Sequence, residues 1–364
     1  MVRPAELGTF DWPLFLAVLT TCGLSLLTIS SATFQNPDLD GLAARQAFWV
    51  CAGLLALLVM LAIDYHTLAE FTPFIYIAAL ASLVYLLLFG RVIAGTRGWL
   101  ELGPMNLQPS EFVKVALILA VGTYTAATGG HKLGWKSLAN LSLLGGAPLV
   151  LILKQPDFGT AATLLPVLLA TVFVAGIQLR VLVILAIILA LTLPLAWFTV
   201  FKEYQKERIL TFINPERDPS GAGYQVRQSR IAVGSGGLAG HGLYKGTQSK
   251  LQFLPAQQTD FIFAVVAEEL GFLGAGTLVG LYLFMTLRCL AAARLARDKL
   301  GRYLALGVGT AFGCQSLANL GMMVGLVPIV GIPLPLMSYG GSSMVATLMG
   351  FGLVLNVNMR RFVN

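Results

Sequence analysis

Long apolar runs separated by polar connections follow one another along almost the whole chain. Each run approaches the roughly 20 residues that an α-helix needs to cross a lipid bilayer. The pattern predicts an all-α polytopic membrane protein with ten spans, forming one domain over residues 1–364. The predicted spans are 12–32, 46–63, 70–89, 109–127, 138–154, 159–179, 181–200, about 262–287, 303–326 and 340–358.

The composition narrows the class of protein further. Apolar residues make up 57% of the chain and charged residues only 11%, whereas charged residues account for about a quarter of an ordinary soluble domain. This balance excludes a soluble globular enzyme, a disordered chain and a coiled coil. The net charge of +7 comes largely from basic residues in short connections between spans. We therefore expect these residues to set the orientation in the membrane, and we expect no nucleic-acid partner.

Lys and Arg are unevenly divided between the two sets of alternate connections. Because basic residues concentrate on the cytoplasmic side, the richer set predicts that both chain termini are cytoplasmic. That set contains Arg3, Lys132, Lys136, Arg180, Arg288, Arg294, Arg297, Lys299, Arg302, Arg360 and Arg361, against Arg45, Arg91, Arg97 and Lys154 in the short connections of the other set.

Residues 201–260 form a long connection between spans seven and eight, which this orientation places outside the cytoplasm. Connections of this length are usually functional. Its start, 202–213, mixes charged and apolar residues as an interfacial helix does. Its arginines, among them Arg208, match the geometry of phosphate, although basic residues beside a bilayer also bind anionic headgroups. Both interpretations stay open.

Four polar motifs interrupt the apolar background, and the predicted topology opens all four on the same, extracytoplasmic face. Polar groups with dispersed structural roles would not be expected to share one side. We therefore predict a polar chamber just beneath the outer surface of the membrane. The motifs are 108–114, 154–160, Thr259-Asp260 and 331–343.

Ionisable side chains at membrane depth are costly and mark candidate functional sites. Glu111 and Lys114 are three residues apart, so they share a helix face on which an ion pair either serves the chamber or orients the helix start. Asp157 follows a proline and is equally typical of a turn or a helix cap. Asp260 precedes an apolar run, where it either caps a helix or, in a dry chamber, acts as a general base.

The predicted sidedness also restricts the substrate. Nucleotide sugars and ATP are cytoplasmic, so a transferase on the outer face needs a donor that is delivered in the membrane. A sugar linked to a polyprenyl pyrophosphate meets this need and brings its own leaving group.

The ordered motifs resemble the SEDS family (shape, elongation, division and sporulation), and the resemblance covers nearly the whole chain. Any one motif alone would be weak, but several in the right order are specific. The short termini are more similar to the elongation member than to the division member. The matching segments are Arg97-Gly-Trp99 with 108–114, 155–160, Gly223-Tyr-Gln225 with Gln228-Ser229, 235–237, 259–263 and 338–343.

The resemblance implies a ten-helix peptidoglycan glycosyltransferase in the bacterial cytoplasmic membrane. Such an enzyme polymerises lipid II into β-1,4 glycan strands on the outer face during cell elongation and shape maintenance. A class B penicillin-binding protein and membrane lipids are the implied partners. The family's essential aspartate matches Asp260, which is the expected catalytic residue. The other expected site residues are Glu111, Lys114, Asp157, Arg208, Gln225 and Ser338.

A divalent cation, magnesium or manganese, is a candidate cofactor, with Asp260, Glu111 and Asp157 as its candidate ligands. One departure from the family pattern concerns the residues before Asp260. Family members often have Leu-Pro-Glu followed shortly by His-Thr-Asp, whereas Pro255 here is followed by Ala256-Gln257-Gln258. No role of that glutamate or histidine can therefore be transferred.

Two other classes of function stay open on the sequence alone. A flippase for a lipid-linked substrate also needs a polar membrane cavity and helices broken by Gly and Pro. A non-catalytic scaffold for cell-wall synthesis would tolerate neutral residues in place of the carboxylates.

Overall fold

The computed structural model describes residues 10–362 apart from 35–38, 93–94, 104, 129–132, 179, 182, 185–202, 219–220, 251–252 and 255. Long helices dominate the first half of the chain. They are α1 (Trp12–Thr33), α2 (Leu42–Ala62), the short α3 (Tyr65–Glu70), α4 (Thr72–Phe89), α5 (Pro109–Ala127), α6 (Trp135–Lys154) and α7 (Phe158–Ala175).

The second half combines shorter helices with three long ones. The shorter helices are α8 (Glu203–Ile213), α9 (Ala222–Ser235) and α10 (Thr247–Lys250), all within the long connection. The long ones are α11 (Ile262–Leu295), α12 (Lys299–Val324) and α13 (Gly341–Met359). A small antiparallel hairpin, β1 (Leu100–Leu102) with β2 (Met105–Leu107), precedes α5. The sequence pattern did not predict this hairpin.

Eight of the described helices are long and apolar enough to cross a membrane: α1, α2, α4, α5, α6, α7, α11 and α13. The helix α12 covers the ninth predicted span. The seventh predicted span, 181–200, lies almost wholly outside the described residues, so the number of ten remains a prediction. The helical membrane fold is confirmed, and the bounds of most spans agree with prediction to within a few residues.

Helix starts are set by side chains that satisfy the free backbone N–H groups of the first turn. Asp11 accepts a hydrogen bond from the Leu14 amide at 3.1 Å, and Asp298 accepts one from the Gly301 amide at 2.9 Å. Aspartate is among the preferred residues at this position because its oxygen replaces a missing helical acceptor.

The core of the bundle forms where α13 packs on α2, and where α12 packs on α11, α7 and α5. Most residues of α5 and α13 are buried, whereas few residues of α4 are, and α4 exposes large apolar side chains such as Phe74 and Leu88. Helices whose exposed surface is apolar are typical of contact with lipid.

The two ends of the bundle carry different polar groups. We call one the Asp157 end; it contains Gln108, Glu111, Lys114, Asp157 and Asp260. We call the other the Asp11 end; it contains Asp11, Asp64, His66, Asp298 and Arg360.

The eighth predicted span, about 262–287, falls within α11, and the structure adds that α11 is interrupted near its start. Gly271 has φ +65° and ψ −164°, which interrupts the helix, and the second part continues to Leu295. The first part, 262–270, is buried and joins two helices of the bundle. At its start the Asp260 carbonyl accepts from Asn319 of α12, and near its end Glu269 accepts from Ser31 of α1.

Glycines in the long connection allow its backbone to lie against this kink. The Gly242 amide donates to the Glu269 carbonyl at 2.8 Å, and the Phe272 amide donates to the Gly237 carbonyl at 2.8 Å. A Cβ on Gly240 would lie only 2.1 Å from the Glu269 carbonyl oxygen, so no larger residue fits there. The glycine-rich stretch therefore serves close backbone packing.

Between α12 and α13, residues 331–338 form an irregular segment that enters the bundle from the Asp157 end. Pro333 and Pro335 have no backbone N–H, so the segment offers mainly carbonyl oxygens to the helices around it. Tyr282 of α11 donates to the Pro335 carbonyl, and Ser25 of α1 donates to the Met337 carbonyl at 2.8 Å. We call residues 331–338 the carbonyl segment.

Candidate active site at the Asp157 end

Glu111 and Lys114 form the predicted ion pair on one face of α5. The Lys114 Nζ lies 3.2 Å from Glu111 Oε2. Only 3% of Glu111 and 8% of Lys114 is exposed, so both charges lie in surroundings of low polarity. A buried charge needs a partner, and Gln315 of α12 supplies a second one because its Oε1 accepts from Lys114 Nζ at 2.7 Å.

A small cavity of about 30 Å³ adjoins this pair. Its polar lining comes from Glu111, Lys114, Gln315 and Thr347. Its apolar lining comes mainly from α12 and α13. Apolar walls keep the local dielectric low, so the charge on the ammonium acts more strongly here than it would in water.

Asp157 lies at the start of α7 and combines a structural and an electrostatic role. Its carboxylate accepts from the Thr160 amide at 3.0 Å, the Thr160 hydroxyl at 2.8 Å and Gln108 Nε2 at 2.9 Å. Burial raises the pKa of Asp157, and the nearby negative charge of Glu111 raises it further, while these hydrogen bonds act in the opposite direction. The predicted helix cap is therefore present, and Glu111 is close enough to influence the same carboxylate.

Asp260 is half-buried in the turn before α11. Its main-chain carbonyl accepts from Asn319 Nδ2 at 2.9 Å. A Cβ placed on Gly331 would lie 3.5 Å from Asp260 Oδ2, and a Cβ on Gly159 would lie 2.8 Å from the Gly331 carbonyl oxygen. The backbone at Gly331 thus lies between Asp260 and the first turn of α7, which Asp157 caps.

Ser338 is buried and holds the carbonyl segment against the turn before α11. Its hydroxyl donates to the Thr259 carbonyl and accepts from the Leu334 amide at 2.8 Å. The next residue, Tyr339, adds a backbone bond to the Gln258 carbonyl at 2.8 Å. The structure therefore gives Ser338 contacts that place the residues next to Asp260.

The two expected site residues of the long connection lie on its helices. Gln225 is half-buried in α9, which packs against α11 and α12. Arg208 belongs to α8 by its backbone, and its side chain lies outside the described part of the structure.

Four neutral side chains at this end were not among the predicted site residues, although Gln108 and Ser342 lie within the predicted motifs 108–114 and 331–343. The side chain of Gln108 donates to Asp157, and the backbone N–H of Gln108 donates to Ser342 Oγ at 2.7 Å. Gln315 binds Lys114, and Asn319 binds the Asp260 carbonyl. The available signal was the spacing of Gln315 and Asn319, which lie four residues apart inside an otherwise apolar run.

The candidate metal ligands do not form a ready-made metal site. Among the residues that the structure describes, no three His, Cys, Asp or Glu side chains converge as metal ligands would. Glu111 is engaged by Lys114, and both carboxylate oxygens of Asp157 accept hydrogen bonds. The described residues alone therefore supply no preformed cage for a cation.

Comparison with known proteins places the chain among cell-wall proteins. The family model for cell cycle proteins of the FtsW, RodA and SpoVE type matches residues 12–362. The chain is 37% identical over 354 residues to the peptidoglycan glycosyltransferase MrdB of Escherichia coli K12, covering 96% of this chain and 94% of that protein. It is 32% identical over 433 residues to the peptidoglycan glycosyltransferase RodA of Treponema pallidum, covering 99% of this chain and 100% of that protein.

Solved structures agree with this placement. A chain of a peptidoglycan synthase complex that coordinates polymerization and crosslinking matches with a TM-score of 0.84 and 34% identity, over 98% of this chain and 99% of that one. The rod shape determining protein RodA of Thermus thermophilus matches with a TM-score of 0.73 and 31% identity, over 98% of both chains. Together with the apolar helices, these relatives indicate an integral membrane protein. The chain belongs to the SEDS family of FtsW, RodA and SpoVE proteins.

Proposed function

We propose that this protein is a peptidoglycan glycosyltransferase that polymerises lipid II into β-1,4 glycan strands, in the service of cell elongation and shape. The observation that supports this most is the placement of Glu111, Lys114, Asp157 and Asp260 at one end of the bundle. Relatives named peptidoglycan glycosyltransferases match nearly the full length of the chain.

In the proposed reaction, Asp260 accepts the proton of the acceptor's GlcNAc 4-hydroxyl while that oxygen attacks the anomeric carbon of the donor's MurNAc. A carbon–oxygen bond forms, and the bond from the anomeric carbon to the pyrophosphate oxygen breaks with inversion. Undecaprenyl pyrophosphate leaves with the electron pair. Asp260 suits the role of base because it is half-buried rather than fully solvated.

Lys114 stabilises the negative charge that develops on the leaving pyrophosphate. A buried cation that is already in place provides such stabilisation with little reorganisation. Glu111 and Asp157 orient the surrounding polar groups. Arg208 and Gln225, on the long connection, contribute to binding of the substrate's polar part, and Ser338 places the turn that contains Asp260.

The proposed orientation puts both termini in the cytoplasm and the Asp157 end outside the cytoplasmic membrane. The excess of Lys and Arg in one set of connections supports it. Lipid II then reaches the site through the outer leaflet. A class B penicillin-binding protein is the proposed partner, in keeping with the similarity to a chain of a peptidoglycan synthase complex.

In this proposal, a divalent cation binds only together with the substrate. Magnesium is commonly held by one or two carboxylates together with phosphate oxygens, which Asp260 and a pyrophosphate would provide. Chelation with EDTA, followed by addition of magnesium or manganese, tests the point. Loss and recovery of glycan synthesis would support a cation, and unchanged synthesis would remove it from the proposal without affecting the transferase assignment.

The decisive experiment compares wild type with Asp260→Asn in a polymerisation assay on purified lipid II with the partner present. We expect the variant to fold normally and to lose glycan synthesis. Asp40→Asn is the matched control, because Asp40 is exposed and we expect full activity. Normal synthesis by a folded Asp260→Asn protein would remove Asp260 from the mechanism. Transport of lipid II by wild type without any polymer would instead favour a flippase.

A further inference from the structure

One turn of α12 carries two buried amide side chains, Gln315 and Asn319. They lie four residues apart and therefore on one face of the helix, and they are 4% and 0% exposed. Both donate to the carbonyl segment. Gln315 Nε2 lies 3.0 Å from the Pro333 carbonyl oxygen, and Asn319 Nδ2 lies 2.7 Å from that of Ile332.

Each of these amides also contacts a group that the proposed reaction uses. Asn319 reaches the backbone of Asp260 at 2.9 Å. Gln315 Oε1 lies 2.7 Å from Lys114 Nζ, which is shorter than the 3.2 Å between Lys114 Nζ and Glu111 Oε2. Lys114 and Asp260 are thus each hydrogen-bonded to an amide side chain of α12. Both of these amides also bind the carbonyl segment.

The chemistry of Gln315 explains what this contact does to Lys114. An ammonium group whose one partner is a carboxylate forms a close ion pair with it. That pair has no net charge and attracts an anion only weakly. A second, uncharged acceptor shares the ammonium without adding negative charge. An ammonium has three donors, so the two bonds to Glu111 and Gln315 define the direction of a third toward a ligand oxygen.

We infer that Gln315 is a positioning residue for Lys114. Its amide oxygen draws the ammonium away from Glu111 and holds it where a pyrophosphate oxygen is bound, while its amide nitrogen fixes Gln315 itself on the Pro333 carbonyl. This inference rests on the proposed function, because the anion in question is the leaving group of that reaction. Asn319 likewise positions the turn that contains Asp260, through its bond to the Asp260 carbonyl.

The alternative is a purely structural cross-link between α12 and the carbonyl segment. The two roles are separated by a double-mutant cycle on binding of undecaprenyl pyrophosphate, since binding remains measurable in variants that do not turn over. Lys114→Met, Gln315→Met and the double variant are compared with wild type in detergent, together with thermal unfolding of each.

We expect each single variant to weaken pyrophosphate binding by about fivefold or more, and the double variant to bind no more weakly than Lys114→Met. Effects that multiply, or normal binding by a folded Gln315→Met, would overturn the inference. The matched control is Asn356→Leu, which removes another buried amide that donates to a backbone carbonyl, that of Met60 at 2.6 Å. We expect it to lower stability and to leave binding unchanged.

Gln315→Glu tests the same point if Gln315→Met fails to fold. It keeps the shape and an acceptor for Lys114, but it adds a negative charge and loses the donor to the Pro333 carbonyl. Positioning of Lys114 predicts a folded protein with weaker pyrophosphate binding, and unchanged binding by the folded fraction would overturn the inference. If wild type neither binds pyrophosphate nor polymerises lipid II, the proposed function itself fails, and that outcome is recognised without any variant.

Discussion

The Asp11 end and the Asp157 end neutralise their charged groups in different ways. At the Asp11 end, acids meet bases directly: Asp11 lies 2.7 Å from Arg288, and Arg360 lies 3.2 Å from Asp64. At the Asp157 end, neutral side chains surround Asp157 and add a second partner to the Glu111–Lys114 ion pair. Asp157, for example, accepts from Gln108 and Thr160. Hydroxyls and amides satisfy hydrogen bonds without cancelling charge, so this end keeps charge available to a ligand.

The groups at the Asp11 end also join chain segments that are far apart in sequence. His66 lies between Asp64 at 3.0 Å and Asp298 at 2.7 Å, and Asn358 donates to Asp11 at 3.2 Å. These contacts tie the start of α1 and the start of α12 to their neighbours. The comparison therefore predicts that changes at the Asp157 end alter activity most, and that changes at the Asp11 end alter stability alone.

The largest effect is expected from Lys114→Met. Glu111 would be left buried without its charged partner, which costs about 3–5 kcal/mol of unfolding free energy, and loss of charge stabilisation would reduce glycan synthesis by roughly 10²-fold or more. Thermal unfolding and the lipid II assay measure the two effects. The control is Lys299→Met at the exposed start of α12.

The double variant with Glu111→Gln sharpens this test. It removes both charges, so we expect much of the stability to return while synthesis stays low. If synthesis recovered together with stability, Lys114 would have no role beyond packing.

The next effect concerns Asp157, where cap and charge can be separated. Asp157→Asn keeps a side chain that caps helices well, whereas Asp157→Ala removes the cap at a cost of about 1 kcal/mol. We expect both to impair synthesis and only the alanine variant to lose appreciable stability. Full synthesis by Asp157→Asn would show that the charge is dispensable.

The raised pKa of Asp157 adds a pH dependence with a definite sign. The folded protein holds this proton more tightly than the unfolded chain does, because the pKa of Asp157 in the unfolded chain is only about 3.9. The resulting stabilisation is present at low pH and is lost as pH rises through the folded-state pKa. We therefore expect Asp157→Asn to gain stability relative to wild type as pH rises, which unfolding measured across pH would reveal.

A smaller effect, confined to stability, is expected at Asp11. Asp11→Asn keeps the bond to the Leu14 amide but weakens the contacts with Arg288 and Asn358. We expect a loss of the order of 1–3 kcal/mol and unchanged synthesis per folded molecule. A selective loss of synthesis would contradict the division between the two ends.

The smallest effect is expected from Asp64→Asn. Partial burial opposes ionisation of Asp64, but the hydrogen bonds from His66 and the charge of Arg360 hold its pKa below the ordinary value. Its contribution is therefore present above the unfolded value of about 3.9 and is lost as pH falls through the folded-state pKa. Unfolding experiments near neutral pH should show a loss of at most about 1 kcal/mol, shrinking in acid.

Much of the fold could be predicted from the sequence because bilayer helices are encoded by length and apolarity. The bounds of α1, α5 and α13 followed directly from their apolar runs. The interruption of α11 did not, since Gly271 is one glycine among 39, and only contacts with the long connection show that the backbone must turn there. Local periodicity does not contain that tertiary information.

The candidate site was predictable in its charges and not in its neutral partners. Glu111, Lys114 and Asp157 stood out because ionisable groups are rare in apolar runs, and the ion pair followed from helix spacing. Gln108 belongs to the polar motif 108–114 but was assigned no role of its own. Gln315 and Asn319 are polar without being ionisable, and their spacing of four residues alone is a weak signal for a site. Their importance appears only when distant helices are brought together.

The carbonyl segment has a consequence for how the chain can vary. Asn319, Gln315 and Tyr282 each select one acceptor, on residues 332, 333 and 335 respectively. The spacing of these acceptors fixes the register of the segment against α11 and α12. A single inserted or deleted residue would therefore displace several acceptors from their donors at once. Segment length should therefore tolerate less change than side-chain identity does, so Leu334→Ile is expected to be milder than deletion of Leu334.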